Sequence, residues 1–393
     1  MLENCRWLLY ISRLCGCHPH TIDELSIFKI FHPLAVYSLI ACGMYCAGGY
    51  YTFNTYLTVC ETNMGCVLKQ LNLYSRSSYM ILTALFSCLR HMEFERTIST
   101  TRKFDNLIQH YHWCTDDKRK NHYMQWLIMI LIFGAWFIPI LLIIIFNARN
   151  KTLNKTVLFE FMMICVTRIS FSMEIAKFYF LYDALRRRFH HLNRLCYGLI
   201  GMTVGINIRL FADRLAIVNL QRLHRYLHDA TNHLTFYYNP QLLIWITCML
   251  MDITTNVFSI VFNGKDILNN MLLLYIPYVI LISSLQIIAI SRICHLTCNQ
   301  ANVLASIIFS AETSAFKHSN FSTETTELGV FLWAHPLRIR VCGLFNLDNQ
   351  FTLSGSLHIV YRGNRGWLSH FSNTDLKKNV IAIFYNTVYY FIM

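Results

Sequence analysis

The sequence predicts an all-α, multi-pass membrane protein with seven transmembrane helices, a cytoplasmic amino terminus and long cytoplasmic extensions of helices four and five. Three observations carry that prediction. Of 393 residues, 55% are hydrophobic and only 14% charged, against about a quarter charged in an ordinary soluble domain. Trp126 to Phe146 is an unbroken run of 21 residues without a polar side chain, and at about 1.5 Å per residue such a helix crosses a hydrocarbon core of about 30 Å. The basic residues sit in the gaps between runs of this kind.

The spans follow in chain order. The first is 33–53, the third 124–146 around the run above, the fifth 241–262 and the sixth 271–290; among these only Asp252, in the fifth, places a carboxylate inside a span. Two less apolar spans fill the long gaps. The second, 71–92, carries Arg76 and Arg90, and the fourth, 157–180, carries Glu160, Arg168, Glu174 and Lys177; each is apolar enough if its charges face protein or water. A seventh is placed at 341–361, followed by an aberrant tail over 362–393. With six prolines, fifteen glycines and no linker-like tract, one domain over 1–393 is the simplest organisation.

Orientation comes from the Lys and Arg count. Alternate gaps hold 22 on one side and 5 on the other, which puts the amino terminus inside. The acceptor tripeptides at Asn150 and Asn154 fall in a gap this topology places outside, making both expected glycosylation sites. An internal amino terminus argues against G-protein-coupled receptors, whose amino terminus is extracellular. In the gap from Leu181 to Asn239, leucines recur every three or four residues, so helices four and five are expected to continue into the cytosol.

Composition closes other routes. A net charge of +13 would point to nucleic acid in a soluble chain, but no aromatic-plus-basic module accompanies it. The apolar stretch Trp7 to Ile11 is too short for a signal peptide, so the chain is expected to start near Met1. Fifteen scattered cysteines do not read as a disulfide framework. Cys15, Cys17, His18 and His20 could bind zinc but lack a second ligand pair at a familiar spacing, so reduced cysteine is the reading and no metal or cofactor is expected. There is no phosphate loop, no His-Glu-x-x-His and no nucleophile elbow, hence no enzyme.

Several segments resemble the insect gustatory receptors. Leu185-Arg-Arg-Arg-Phe189-His-His-Leu192-Asn193 is similar to that family's basic segment below helix four. The stretches Leu234 to Leu243 and Cys294 to Ile308 are similar to the approach to helix five and the region after helix six. His335 followed by Cys342-Gly343-Leu344-Phe345-Asn346-Leu347-Asp348 resembles the family's approach to helix seven. The resemblance implies a taste chemoreceptor in the plasma membrane of sensory neurons. It further implies one subunit of a homo- or heterotetrameric, tastant-gated nonselective cation channel in which each helix seven lines a central pore.

The resemblance fails inside helix seven. Where the family has Thr-Tyr, five apolar residues and Gln-Phe, this chain reads Val360-Tyr361-Arg362-Gly363-Asn364-Arg365-Gly366-Trp367-Leu368. Two arginines there cost about 2.5 to 3.5 kcal/mol each on insertion scales. The segment is either a pore stretch that repels cations or, the favoured reading, a replacement of the family's carboxyl-terminal end by a frameshift, retained intron or mispredicted exon, which gives a non-conducting or mispredicted variant with an incomplete pore helix. A transporter is a further alternative, but no paired broken helices appear.

The candidate residues follow from depth. An apolar pocket needs aromatic walls and a few polar anchors, which Arg76, Tyr79, Trp136, Phe161, Asp252, Tyr275 and Tyr278 could supply as ligand contacts for a small-molecule tastant. Arg168, Glu174 and Lys177 are the intramembrane charges, with Glu174 and Lys177 expected to pair within the helix and Asp252 a candidate partner for Arg168. Asn349, Gln350 and Phe351 by position, and Tyr361 by motif, are the pore candidates. Membrane lipid is the surrounding partner.

Overall fold

The computed structural model describes residues 6–14, 16, 33–57, 78–109, 137, 141, 144–145, 155–203, 210–267, 272–315 and 323–347. Eight helices and one hairpin can be named within them: α1 Arg6–Leu14, α2 Pro33–Leu57, α3 Ser78–Leu89, α4 His91–Gln109, α5 Lys155–Thr203, α6 Leu210–Ile267, α7 Leu272–Ala315, α8 Thr323–Ala334, β1 Arg340–Val341 and β2 Phe345–Asn346. Of the third span, Phe137, Leu141, Ile144 and Ile145 are described, and all four are helical.

Length decides what the long helices do. At about 1.5 Å per residue, α5 with 49 residues, α6 with 58 and α7 with 44 each run about twice or more the thickness of a hydrocarbon core. The expected extensions of helices four and five are the lower halves of α5 and α6. The sixth span extends as well, since α7 continues through Cys294 and Leu304 to Ala315. A periodicity of buried residues accounts for it: Ile290, Ile293, Cys294, Thr297, Ala301, Leu304 and Ile308 recur at three or four residues and are all buried.

Outside this packed bundle the surface is apolar. On α2, Leu39, Ile40 and Met44 are more than half exposed. Such side chains in a contiguous band need a non-aqueous surrounding.

The lower bundle is knit by the basic segment of α5. Leu185, Phe189 and Leu192 are fully buried, while Arg188 on the same turns reaches α4 and grips Asp105 with two bonds of 2.8 and 2.7 Å. Asn193 donates from Nδ2 to the Gln300 carbonyl of α7 at 2.8 Å. Against α4, Glu93 meets His233 of α6 at 2.7 Å, and the Tyr182 and Thr235 hydroxyls share a hydrogen bond of 2.9 Å. Helix α8 packs on α7 where Gly329 lets it approach; an added Cβ would stand 3.1 Å from Ile308.

The second span contains a break. Arg90 lies in a turn between α3 and α4, where Arg90 N–H bonds the Phe86 carbonyl at 3.0 Å and Glu93 N–H bonds the Arg90 carbonyl at 3.1 Å. The apolar helix α3 therefore ends just before Arg90. Directly across, α6 carries Pro240 in its interior. Proline has no N–H for the carbonyl four residues back, which is that of Phe236. Arg90 fills the gap: its Nη1 donates to the Phe236 carbonyl, and its guanidinium lies 4.3 Å from the centre of the Phe236 ring.

The segment that resembled the approach to helix seven folds as a short β-hairpin. Arg340 pairs with Asn346 and Val341 with Phe345. Cys342 and Gly343 at the tip have φ of 48° and 75°, and Leu344 N–H closes the turn on the Val341 carbonyl at 2.8 Å. Three residues, Cys342 to Leu344, connect the strands, and positive φ at both central residues of the Val341–Leu344 turn is the pattern of type I′. The tip docks beside the α6 proline, with Cys342 N–H donating to Asn239 Oδ1 at 2.6 Å.

Candidate functional site

Four helices converge on one recess within the apolar layer. It is lined by Tyr79 of α3, Thr167, Arg168 and Phe171 of α5, Cys248 and Asp252 of α6, and Ser283 and Gln286 of α7. Helical spacing explains why these residues share it. Arg168 and Phe171 are three apart, Cys248 and Asp252 four apart, and Ser283 and Gln286 three apart, so each pair presents one face.

Charge lies on its wall. Arg168 Nη1 stands 3.9 Å from Asp252 Oδ2, with the two side chains 5% and 13% exposed. That distance is long for a charge-assisted bond, which is strongest near 2.7 to 2.9 Å. The pair is nonetheless close enough to compensate charge. Aromatic edges close the side, with the Tyr79 and Phe171 rings meeting edge to face at 4.4 Å and Trp245 lying 6.2 Å behind Tyr79. Gln286 Nε2 donates to Ser172 Oγ at 2.9 Å, which ties α7 to α5 at the rim.

The recess is narrow in this conformation. About 20 Å³ of it accommodates the centre of a water molecule, which is room for one or two waters. A larger ligand enters only if α3, α5, α6 or α7 moves outward.

A second charged cluster lies one to two turns further along α5. Lys177 Nζ and Glu174 Oε2 are 2.5 Å apart, with side chains 1% and 0% exposed. The third member comes from α1: Ser12 is fully buried, donates its hydroxyl to Glu174 and accepts from Lys177 Nζ at 3.2 Å. Helix α1 is held there by Tyr37 of α2, whose hydroxyl donates to the Leu14 carbonyl at 2.6 Å. Gly16 then turns the chain at φ +75°, with a would-be Cβ only 2.5 Å from Ala41 Cβ.

Of the residues singled out in the sequence, the structure gathers Tyr79, Arg168 and Asp252 around one recess and pairs Glu174 with Lys177. Tyr278 is half-buried on α7 and is not among the lining residues. Phe161 and Tyr275 lie on α5 and α7, though their side chains fall outside the described residues. Also outside them lie Arg76, Trp136, Asn150, Asn154, Asn349, Gln350, Phe351 and Tyr361, and with them Cys15, Cys17, His18 and His20. Sequence reasoning missed Thr167, Phe171, Cys248, Ser283, Gln286 and Ser12. Spacing from Arg168 and Asp252 could have found Phe171 and Cys248, whereas nothing in the sequence of α1 points to Ser12.

Comparison with known proteins gives a consistent result. A family profile described as 7tm Chemosensory receptor matches residues 5–354. The fold is similar to the solved structure of the insect olfactory receptor OR5 from Machilis hrabei, with a TM-score of 0.63 at 12% identity over 91% of this chain and 95% of that one. It is also similar to OR5 in complex with eugenol, with a TM-score of 0.60 at 11% identity over 89% and 93%. At such identities the likeness is one of fold. No curated protein matches the sequence.

Proposed function

Since this chain belongs to the 7tm chemosensory receptor family, we propose that it is a taste receptor, one subunit of a tetrameric, tastant-gated nonselective cation channel in the plasma membrane of sensory neurons. The single observation that carries the taste reading is the Arg168–Asp252 pair on the wall of the recess. A volatile apolar ligand could bond neither member of this charged pair. A water-soluble ligand with both donors and acceptors meets both. OR5, which shares the fold, has been solved with eugenol bound, and this supports a small-molecule site among the helices.

Whole-cell recording from cells expressing the full chain tests the reading. A panel of water-soluble tastants is expected to evoke current that R168Q and D252N each reduce at least tenfold in sensitivity. Responses confined to volatile apolar compounds, unchanged by both substitutions, would overturn it. Arg76, Trp136, Phe161, Tyr275 and Tyr278 remain proposed ligand contacts, and Asn349, Gln350, Phe351 and Tyr361 proposed pore residues.

The amino terminus is placed in the cytosol by the 22 to 5 asymmetry of basic residues. An amino-terminal tag cut by protease on intact cells would reverse that placement. Asn150 and Asn154 are then extracellular and glycosylated, giving a mass shift on glycosidase treatment.

A second reading is favoured by one observation: the family match ends at residue 354, just before the segment that places Arg362 and Arg365 where the family is apolar. On this reading helices one to six fold but the pore is incomplete, and surface-expressed protein passes no current. The transcript sequence across codons 350 to 393 separates it from the first.

A further inference from the structure

One face of α7 changes character along its length. Leu281, Leu285 and Ile288 are 57%, 54% and 43% exposed, and their spacing of four and three residues puts them in a single stripe. The next residue on that stripe is Arg292, also exposed. From Leu281 to Arg292 the helix rises about 16 Å, which takes the stripe from within the sixth span to just beyond its inner end at residue 290. Among the described residues no carboxylate pairs with Arg292.

The neighbouring α5 makes the same transition. Just where the fourth span ends, Asp183 follows Tyr179 by four residues, and Arg186 and Arg187 follow Asp183 by three and four. Arg186 meets Asp183 at 2.8 Å and Arg187 meets it at 3.2 Å, one carboxylate shared by two guanidinium groups that stay 34% and 25% exposed. Thr297 of α7 donates its hydroxyl to the Tyr182 carbonyl of α5 at 3.4 Å, so the two helices lie side by side at this level and their basic residues face the same water boundary. The balance among Asp183, Arg186, Arg187 and Arg292 is three positive groups to one negative. A lipid-facing apolar stripe that runs into a basic cluster at the water boundary matches, in shape and in sign, a phospholipid with an acidic headgroup.

We propose that the inner ends of α5 and α7 form a binding site for an anionic phospholipid, its acyl chain along Leu281, Leu285 and Ile288 and its phosphate among Arg186, Arg187 and Arg292. Assignment to the cytosolic leaflet rests on the proposed topology; the site itself rests on the side chains.

Full-length protein in mild detergent, titrated with dioctanoyl phosphatidylserine and dioctanoyl phosphatidylinositol 4,5-bisphosphate, is read by native mass spectrometry. R292Q is expected to weaken both by about fivefold, and R186Q/R187Q/R292Q by about a hundredfold, as about one such factor per arginine implies. R96Q, on an exposed arginine of α4, leaves binding unchanged. Because Arg292 is exposed, R292Q is not expected to unfold the protein, and an unaltered melting temperature checks this. Wild-type affinity in R292Q and in the triple variant would overturn the proposal. So would inositol 1,4,5-trisphosphate, the free headgroup, binding as tightly as the lipid. Detergent binding is blind to sidedness, so an extracellular amino-terminal tag would overturn the topology and the leaflet while leaving the arginine dependence in place.

Discussion

Arg90 caps the carbonyl of Phe236, the one that Pro240 deprives of its helical partner, and its guanidinium carbon stands 4.3 Å from the centre of the Phe236 ring. A break between α3 and α4 and a proline inside α6 thus cancel each other at one point. Removing the guanidinium leaves the carbonyl without this partner, so R90A is expected to cost about 0.5 to 1.5 kcal/mol. In a P240A background residue 240 supplies its own N–H, and R90A should cost much less. Thermal melting of the four proteins in detergent checks this, and equal losses in both backgrounds would refute the capping role.

The Ser12, Glu174 and Lys177 cluster predicts unequal effects. Truncating one partner of a buried ion pair strands the other and costs about 3 to 5 kcal/mol, the expectation for K177M and E174L alone. The double variant E174L/K177M should recover most of that loss. S12A removes one bond to each charge and should cost about 1 to 3 kcal/mol, mainly as release of α1, which limited proteolysis near Gly16 reads out.

In the recess, geometry predicts rescue by reversal. R168D and D252R each place two like charges at about the 3.9 Å of the native pair and should abolish surface expression. R168D/D252R restores opposite charges and should return expression in part, with altered ligand selectivity. A double variant no better than either single would show that the two groups act separately.

The hairpin tip depends on Gly343. At φ 75° a side chain costs about 1 to 2 kcal/mol, so G343V should loosen the docking of Cys342 on Asn239. By contrast C342N should be tolerated, since asparagine adopts positive φ readily and Asn-Gly is the preferred pair for this turn. Cross-linking between engineered cysteines on the hairpin and on α6 compares the two. Equal behaviour of G343V and C342N would count against the turn assignment.

His224, in the lower half of α6, predicts acid sensitivity. Its ring is buried and faces the Ala301 carbonyl at 3.4 Å. Burial, with His228 adding to it, pushes its pKa down from 6.5 to about 4. The unfolded chain therefore takes up the proton first as pH falls. Stability is independent of this group above pH 6.5, drops by about 1.4 kcal/mol per unit below it and levels off near pH 4. Melting temperatures of wild type and H224F over this range should diverge with acidity, and parallel curves would refute the assignment.

Much of the architecture was legible in the chain. Without water inside the bilayer, every backbone amide must bond within its own segment, so long apolar runs are helices. The i,i+3 pairing of Glu174 with Lys177 was legible for the same reason, since it depends only on helical rise and turn. The recess was half legible: Arg168 and Asp252 stood out as charges at matching depth, 84 residues apart.

What the sequence determined by itself was helix and the presence of costly charges. Only the tertiary structure decided which groups meet: that Ser12 joins the buried pair, that Arg90 finds the Phe236 carbonyl, that Cys342 and Gly343 form a turn seated on Asn239, and that α7 extends beside α5. The physical reason is that local periodicity sets which face of a helix is apolar, while the rotation and axial shift of one helix against another come from packing among segments far apart in the chain, where no single run of residues records its partner.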